Sequence, residues 1–117
     1  MNHLKRLFLT TFITTACIVS TAIQAKADNY RAGKFTITIN DHKNGVTYIG
    51  CDQKRQCIKL QDGTKWRDQG YRGITWENGD YAYSVSWLEG LNNQMYLNIY
   101  NKNKRILREK MILIQSS

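Results

Sequence analysis

Residues 74–87 read ITWENGDYAYSVSW, and the folding of this stretch decides the architecture of the chain. At its centre lies Asn78-Gly79. Asn-Gly is the preferred centre of a two-residue type I′ hairpin, because both central residues need φ > 0. The spacing therefore predicts a β-hairpin in which Trp76 faces Tyr81, Ile74 faces Tyr83 and Arg72 faces Val85. Opposed residues share one face of a sheet. On this reading Ile74, Trp76, Tyr81, Tyr83, Val85 and Trp87 project one way, and Gly73, Thr75, Glu77, Asp80, Ala82, Ser84 and Ser86 project the other. The aromatic face is the candidate core, with Tyr81 and Tyr83 as rim residues suited to a ligand, since tyrosine is apolar with a polar tip.

Outward from the hairpin, the chain alternates strand and turn signals. FTITI (35–39) places Phe35, Ile37 and Ile39 on one face. NDHKNG (40–45) is a turn cluster, and VTYIG (46–50) returns with Ile39 opposite Val46 and Ile37 opposite Tyr48. CIKL (57–60) runs through an Asp62-Gly63 turn to Trp66, and RDQGYRG (67–73) reads as irregular. QMYLNIY (94–100), a turn at NKNK and RILREKMILI (105–114) complete the chain. The last segment competes with a helical turn or two, but its Ile-rich end reads as a buried strand. Turn signals at this spacing predict an all-β fold, a small antiparallel sandwich or barrel of six to eight short strands in a single domain.

The N-terminus reads as an address. Lys5 and Arg6 precede an uncharged apolar run, and Ala25-Lys26-Ala27 offers small residues at a cleavage site. This is the layout of a secretory signal peptide over 1–27, leaving a β-domain over 28–117 that is secreted or periplasmic and not an integral membrane protein after processing. Removing Lys5, Arg6 and Lys26 from the 17 Lys and Arg leaves 14 against 9 Asp and Glu, a net of +5. A domain this small buries a modest fraction of its surface, and its aromatic residues suit a pleated sheet.

Export also bears on the three cysteines. Cys17 lies in the leader, so Cys51 and Cys57 remain, and an extracytoplasmic pair should oxidise. The alternatives are redox chemistry or a metal. Redox pairs are usually spaced CxxC, and zinc would need further ligands beyond His42. A structural cystine closing the loop CDQKRQC is the expectation, with no cofactor and no metal.

Nothing in the chain calls for catalysis, and it is read as a non-enzyme. Glu77 and Asp80, opposite each other on the expected register, sit at an exposed hairpin tip without the burial that separates two carboxyl pKa values. Ser84 and Ser86 lie in a strand without a nucleophile-elbow context, far from His42. The basic residues are more informative. Lys54, Arg55 and Lys59 lie in or beside the cystine loop, and Lys65, Arg67 and Arg72 follow. A further set, Lys102, Lys104, Arg105, Arg108 and Lys110, marks the last hairpin. A positive excess attracts anionic partners at long range. The expected function is non-catalytic binding of an anionic envelope polymer or surface, with Lys54, Arg55, Lys59, Lys65, Arg67, Arg72, Tyr81 and Tyr83 as candidate contacts. Nucleic acid is not the expected partner of an exported protein. The alternative is an inhibitor or interaction module that engages one protein partner through the Cys51–Cys57 loop, whose cross-link lowers the ordering cost of binding.

Overall fold

The computed structural model describes residues 26–90 and 94–116. The described residues form nine strands and no helix: β1 (Lys26–Ala32), β2 (Phe35–His42), β3 (Gly45–Cys51), β4 (Cys57–Leu60), β5 (Thr64–Asp68), β6 (Tyr71–Asn78), β7 (Tyr81–Leu88), β8 (Met95–Asn101) and β9 (Lys104–Ser116). They make one antiparallel sheet in the order β4-β3-β2-β1-β9-β8-β7-β6-β5, curled into a half-barrel. The fold is all-β, as the alternation predicts, with nine strands in place of six to eight. Part of the difference is β1, whose sequence KADNYRA has no apolar alternation; part is that CIKL and its continuation divide in two. Residues 105–114 are strand throughout, within β9, but their Ile-rich end is not buried: Ile112, Leu113 and Ile114 are exposed, because the core in this strand reaches only to Met111. The expected leader, 1–27, lies outside the described residues except for Lys26 and Ala27, which pair with Asp41 and Asn40 as the first two positions of β1.

Antiparallel pairing alternates direction, so β4 and β5, at opposite edges of the nine, run the same way. Only Gln61-Asp62-Gly63 separates them. They therefore follow one another along the same direction, with a left-handed Asp62 (φ +60°) between them, pairing first with β3 and then with β6, and the edges of the curled sheet approach along this path. Two hydrogen bonds stitch this seam: Gly63 N donates to the Val46 carbonyl at 3.1 Å, and Trp76 Nε1 donates to the same oxygen at 2.9 Å. The approach is close enough that a Cβ at position 63 would lie 2.5 Å from Trp76 Nε1.

The concave face holds the core. Ala32, Ile37, Ile39, Val46, Tyr48, Leu60, Ile74, Trp76, Val85, Leu97 and Met111 are all buried there. Tyr48 links the two halves of the sheet, its ring 5.2 Å from Trp76 and 5.5 Å from Tyr83 between centroids. Trp87, expected in the core, is only partly buried and packs at its margin.

Two registers differ from the sequence reading. In the opening hairpin the turn is Gly79-Asp80; Asn78 pairs with Tyr81, Trp76 with Tyr83, Ile74 with Val85 and Arg72 with Trp87. Gly79 has φ +65° and Asp80 is not left-handed, the II′ pattern, which needs glycine at the first central position only. This arrangement lets Asn78 stay extended, whereas a type I′ turn would have forced it to positive φ. Glu77 consequently opposes Ala82 and not Asp80. In the β2–β3 hairpin Ile39 pairs with Tyr48 and Ile37 with Gly50, because the strands extend to a tighter turn at Lys43-Asn44. Both slips are by two residues, so every side chain keeps its expected face. The segment read as irregular is a regular hairpin with Gln69-Gly70 at its turn.

Candidate functional site

The up-and-down order sends the turns to two ends. The Gly33-Lys34, Gly79-Asp80 and Lys102-Asn103 turns gather at one end with the cystine loop, and Lys102 N donates to the Asp80 carbonyl at 2.9 Å. At the other end lie Lys43-Asn44, Gln69-Gly70 and the β7–β8 connection, where Glu89 N donates to the Gly70 carbonyl at 2.9 Å.

The cystine loop is built from its first residues upward. Cys51 and Cys57 are directly opposed in the β3–β4 ladder and are joined. Asp52 Oδ1 accepts from the backbone N–H of Lys54 at 2.8 Å and of Gln56 at 2.9 Å. Asp52 N donates to the Gln56 carbonyl at 3.0 Å, and Arg55 N to the Asp52 carbonyl at 3.1 Å. One aspartate thus organises the whole excursion, and Arg55 is held at its apex with φ +63°. A non-glycine residue kept in that region costs about 1–3 kcal/mol and marks a position over-determined by its surroundings.

Two grooves meet at this loop. On the concave side Phe35, Tyr48, Ile58, Tyr81, Tyr83, Ile99, Ile106 and Leu107 line an apolar groove of about 440 Å³, rimmed by Asp52, Gln56 and Cys57. On its other side Arg31, Lys34, Thr36, Gln53 and Arg55 line a polar groove of about 280 Å³. Phe35 and Asp52 belong to both walls. Burial, with a smaller contribution from Tyr83, pushes the Tyr48 hydroxyl far above the ordinary tyrosine range, and burial followed by Tyr81 raises that of Tyr83. Tyr48 gives one pH prediction. Below about pH 10 the hydroxyl keeps its proton in both folded and unfolded chains; above it only the unfolded chain releases the proton, so stability falls as pH rises. Thermal melts between pH 8 and 11 should show a decline beginning near pH 10 that is shallower in Tyr48→Phe; parallel profiles would contradict it.

The structure divides the sequence-predicted contacts. Tyr81 and Tyr83 stand in the apolar groove, and Lys54 and Arg55 stand on the loop. Lys65, Arg67 and Arg72 do not join them. They lie toward the opposite end, where Lys65 pairs with Asp41 at 3.1 Å, and Arg67 and Arg72 pair with Glu89 at 3.2 and 3.7 Å. Lys59 is exposed on the edge strand β4. Among the described residues none of Arg31, Lys34, Lys54, Arg55 and Lys59 enters an ion pair. Arg31 and Lys34 escaped the sequence reading. The signal was the Gly33 turn just before the FTITI alternation, but a β1 without apolar periodicity hid the hairpin that brings them to the loop.

A larger groove of about 550 Å³ at the far end is lined by Tyr30, Trp87, Met95, Lys110, Met111, Ile112 and Leu113. It is the less convincing site, because one lysine is its only charge and no polar groups converge on it. On the convex face Trp66 Nε1 donates to Thr75 Oγ1 at 2.9 Å and Thr75 contacts Ser84 Oγ at 3.0 Å. The Arg108 guanidinium covers the Tyr96 ring at 4.2 Å.

Among the described residues no group of three or more His, Cys, Asp or Glu side chains is placed to hold a metal ion, and none of their helices could cross a membrane, since there are none. The closed disulfide is compatible with an extracytoplasmic location. No family model, curated protein or solved structure matches this chain.

Proposed function

We propose that the chain is an exported, non-catalytic β-domain that binds an anionic component of the cell envelope at its cystine-loop end. The observation that carries this reading is the partition of the cations. Lys65, Arg67 and Arg72 each form an ion pair, with Asp41 or with a shared Glu89, toward one end, whereas Arg31, Lys34 and Arg55 line a single groove at the other. Unpaired cations around a concave surface attract anions at long range and hold them by charge-assisted hydrogen bonds. The leader-like N-terminus supports export.

The experiment is charge reversal at the loop. Lys54→Glu with Arg55→Glu should leave the melting temperature nearly unchanged, since both side chains are exposed. Capture of a soluble polyanion such as dextran sulfate should weaken at least about tenfold at low salt, since turning two exposed attractions of ~0.4–1 kcal/mol each into repulsions costs roughly 1.5–4 kcal/mol. The residual binding should depend less on salt. Lys65→Glu with Arg67→Glu, the same double charge reversal toward the far end, should bind as the parent does. Equal loss from this variant and from the loop variant would reduce the effect to net charge and sink the assignment.

A second reading, in which the loop enters a protein partner, is favoured by the rigidity of 52–56 around Asp52. It predicts a single stoichiometric protein captured from the native envelope or medium, with binding insensitive to salt.

A further inference from the structure

We infer that the ligand of the cystine-loop end is a single-chain amphiphile with an anionic head, bound as a monomer with its head among Arg31, Lys34 and Arg55 and its tail in the neighbouring apolar groove. The inference rests on the anion-binding reading of this end and specifies its ligand. Its basis is the juxtaposition of two unlike grooves across one wall. The cationic groove and the apolar groove share Phe35 and Asp52, so a head held in one lies next to a tail held in the other.

Neither half accounts for the other. An anionic polymer would need the cations but would leave about 440 Å³ of apolar groove unused. That volume is within the roughly 300–1,000 Å³ of small-molecule sites, which are mostly apolar with a few convergent polar groups. The groove keeps exposed apolar side chains at its lip, Tyr81 at 40% and Ile106 at 53%, where a solvated surface would favour polar residues. Tyr81 is therefore a contact for the tail and not for the charged head.

Two carboxylates stand nearby and offset part of the charge of the three cations, leaving this end net positive. Asp52 is the shared wall, and its Oδ1 already accepts two backbone N–H groups of the loop. Glu109 reaches Gly33 at the adjoining turn and lines neither groove. The head is a phosphate, sulfate or carboxylate, each able to accept the planar fork of an arginine.

The test uses dodecyl phosphate below its critical micelle concentration, followed by titration calorimetry. Inorganic phosphate, dodecyl maltoside, dextran sulfate and phosphatidylglycerol vesicles are the comparison ligands. Dodecyl phosphate should bind at least about 100-fold more tightly than inorganic phosphate, equivalent to burying about four methylenes at ~0.8 kcal/mol each. It should also bind more tightly than the uncharged dodecyl maltoside. Tyr81→Ser with Ile106→Ser, two exposed positions, should weaken dodecyl phosphate at least fivefold and leave dextran sulfate unchanged. Arg55→Glu should weaken both.

Binding of dextran sulfate with dodecyl phosphate no tighter than inorganic phosphate would overturn the amphiphile and leave the anion site standing. Equal affinity for dodecyl maltoside would overturn the anionic head. Sedimentation with the vesicles without binding of the monomer would overturn it in favour of a lipid surface. Failure of every anionic ligand would remove the anion site and the amphiphile together.

Discussion

Trp76→Ala is expected to lower the stability of the domain by about 4 kcal/mol, most of what a domain at the low end of its range possesses. Trp76 is 1% exposed and is the largest fully buried side chain. Truncating a buried tryptophan to alanine typically costs about 3–5 kcal/mol through lost transfer energy and the cavity left behind. Here the ring also supplies the buried Nε1 donor to the Val46 carbonyl, which would remain with the Gly63 N–H alone. A domain of this size has about 5–13 kcal/mol of total stability. The two contributions separate in Trp76→Phe, which keeps most of the ring and removes the donor. Denaturant titration should place Trp76→Phe between the parent and Trp76→Ala, with the hydrogen bond contributing about 1–2 kcal/mol. Because the ring stitches the seam and packs on Tyr48, Trp87→Ala should cost clearly less, its side chain being only partly buried at the margin. Equal destabilisation by the two alanine variants would refute this account of the core.

Cys51→Ser with Cys57→Ser should lower stability by about 2.4 kcal/mol, the chain-entropy value for closing a seven-residue loop, while the far-UV spectrum stays that of a β-protein. The larger consequence is local. The loop contributes Asp52, Gln56 and Cys57 to one groove and Asp52, Gln53 and Arg55 to the other, and Arg55 is held at φ +63° inside it. Without the cross-link Arg55 can relax from a conformation that disfavours side chains. Affinity for a polyanion should therefore fall by more than the global loss of stability accounts for, read at a temperature where the variant is fully folded. Unchanged affinity in a folded, bridge-free protein would mean that Asp52 alone fixes the loop. Two reactive thiols titrated in the native parent protein would contradict the bridge itself.

The parts of the fold that were legible are those governed by parity and local turn chemistry. The alternation at 35–39 and 74–87 assigns the correct face to Ile37, Ile39, Ile74, Trp76, Tyr83 and Val85, because a slip by two residues changes partners without changing sides. The registers themselves were less legible. Asn78-Gly79 and Gly79-Asp80 both satisfy a two-residue turn containing glycine, and the one adopted leaves Asn78 extended. The strand β1 was hidden because KADNYRA pairs on both sides through its backbone while burying little apolar surface of its own. That concealed Arg31 and Lys34, two of the three cations that line the polar groove. The ion pairs of Lys65, Arg67 and Arg72 are equally non-local; Asp41 is 24 positions from Lys65, and nothing in the spacing of charges announces it. The position of Tyr81 and Tyr83 is legible because their face and their place near a hairpin tip follow from the turn alone.

The division of one stretch between β4 and β5 has a colloidal consequence. A sheet that does not close keeps two edges whose free N–H and C=O groups can recruit a strand from another molecule. In this chain those edges span only Cys57–Leu60 and Thr64–Asp68. They carry Lys59, Lys65 and Arg67, and short, cation-bearing edges are the means by which natural sheets discourage edge-to-edge aggregation. Lys59, Lys65 and Arg67 thus bear on colloidal behaviour away from any ligand, as charges placed where edge-to-edge pairing of neighbouring copies would have to begin.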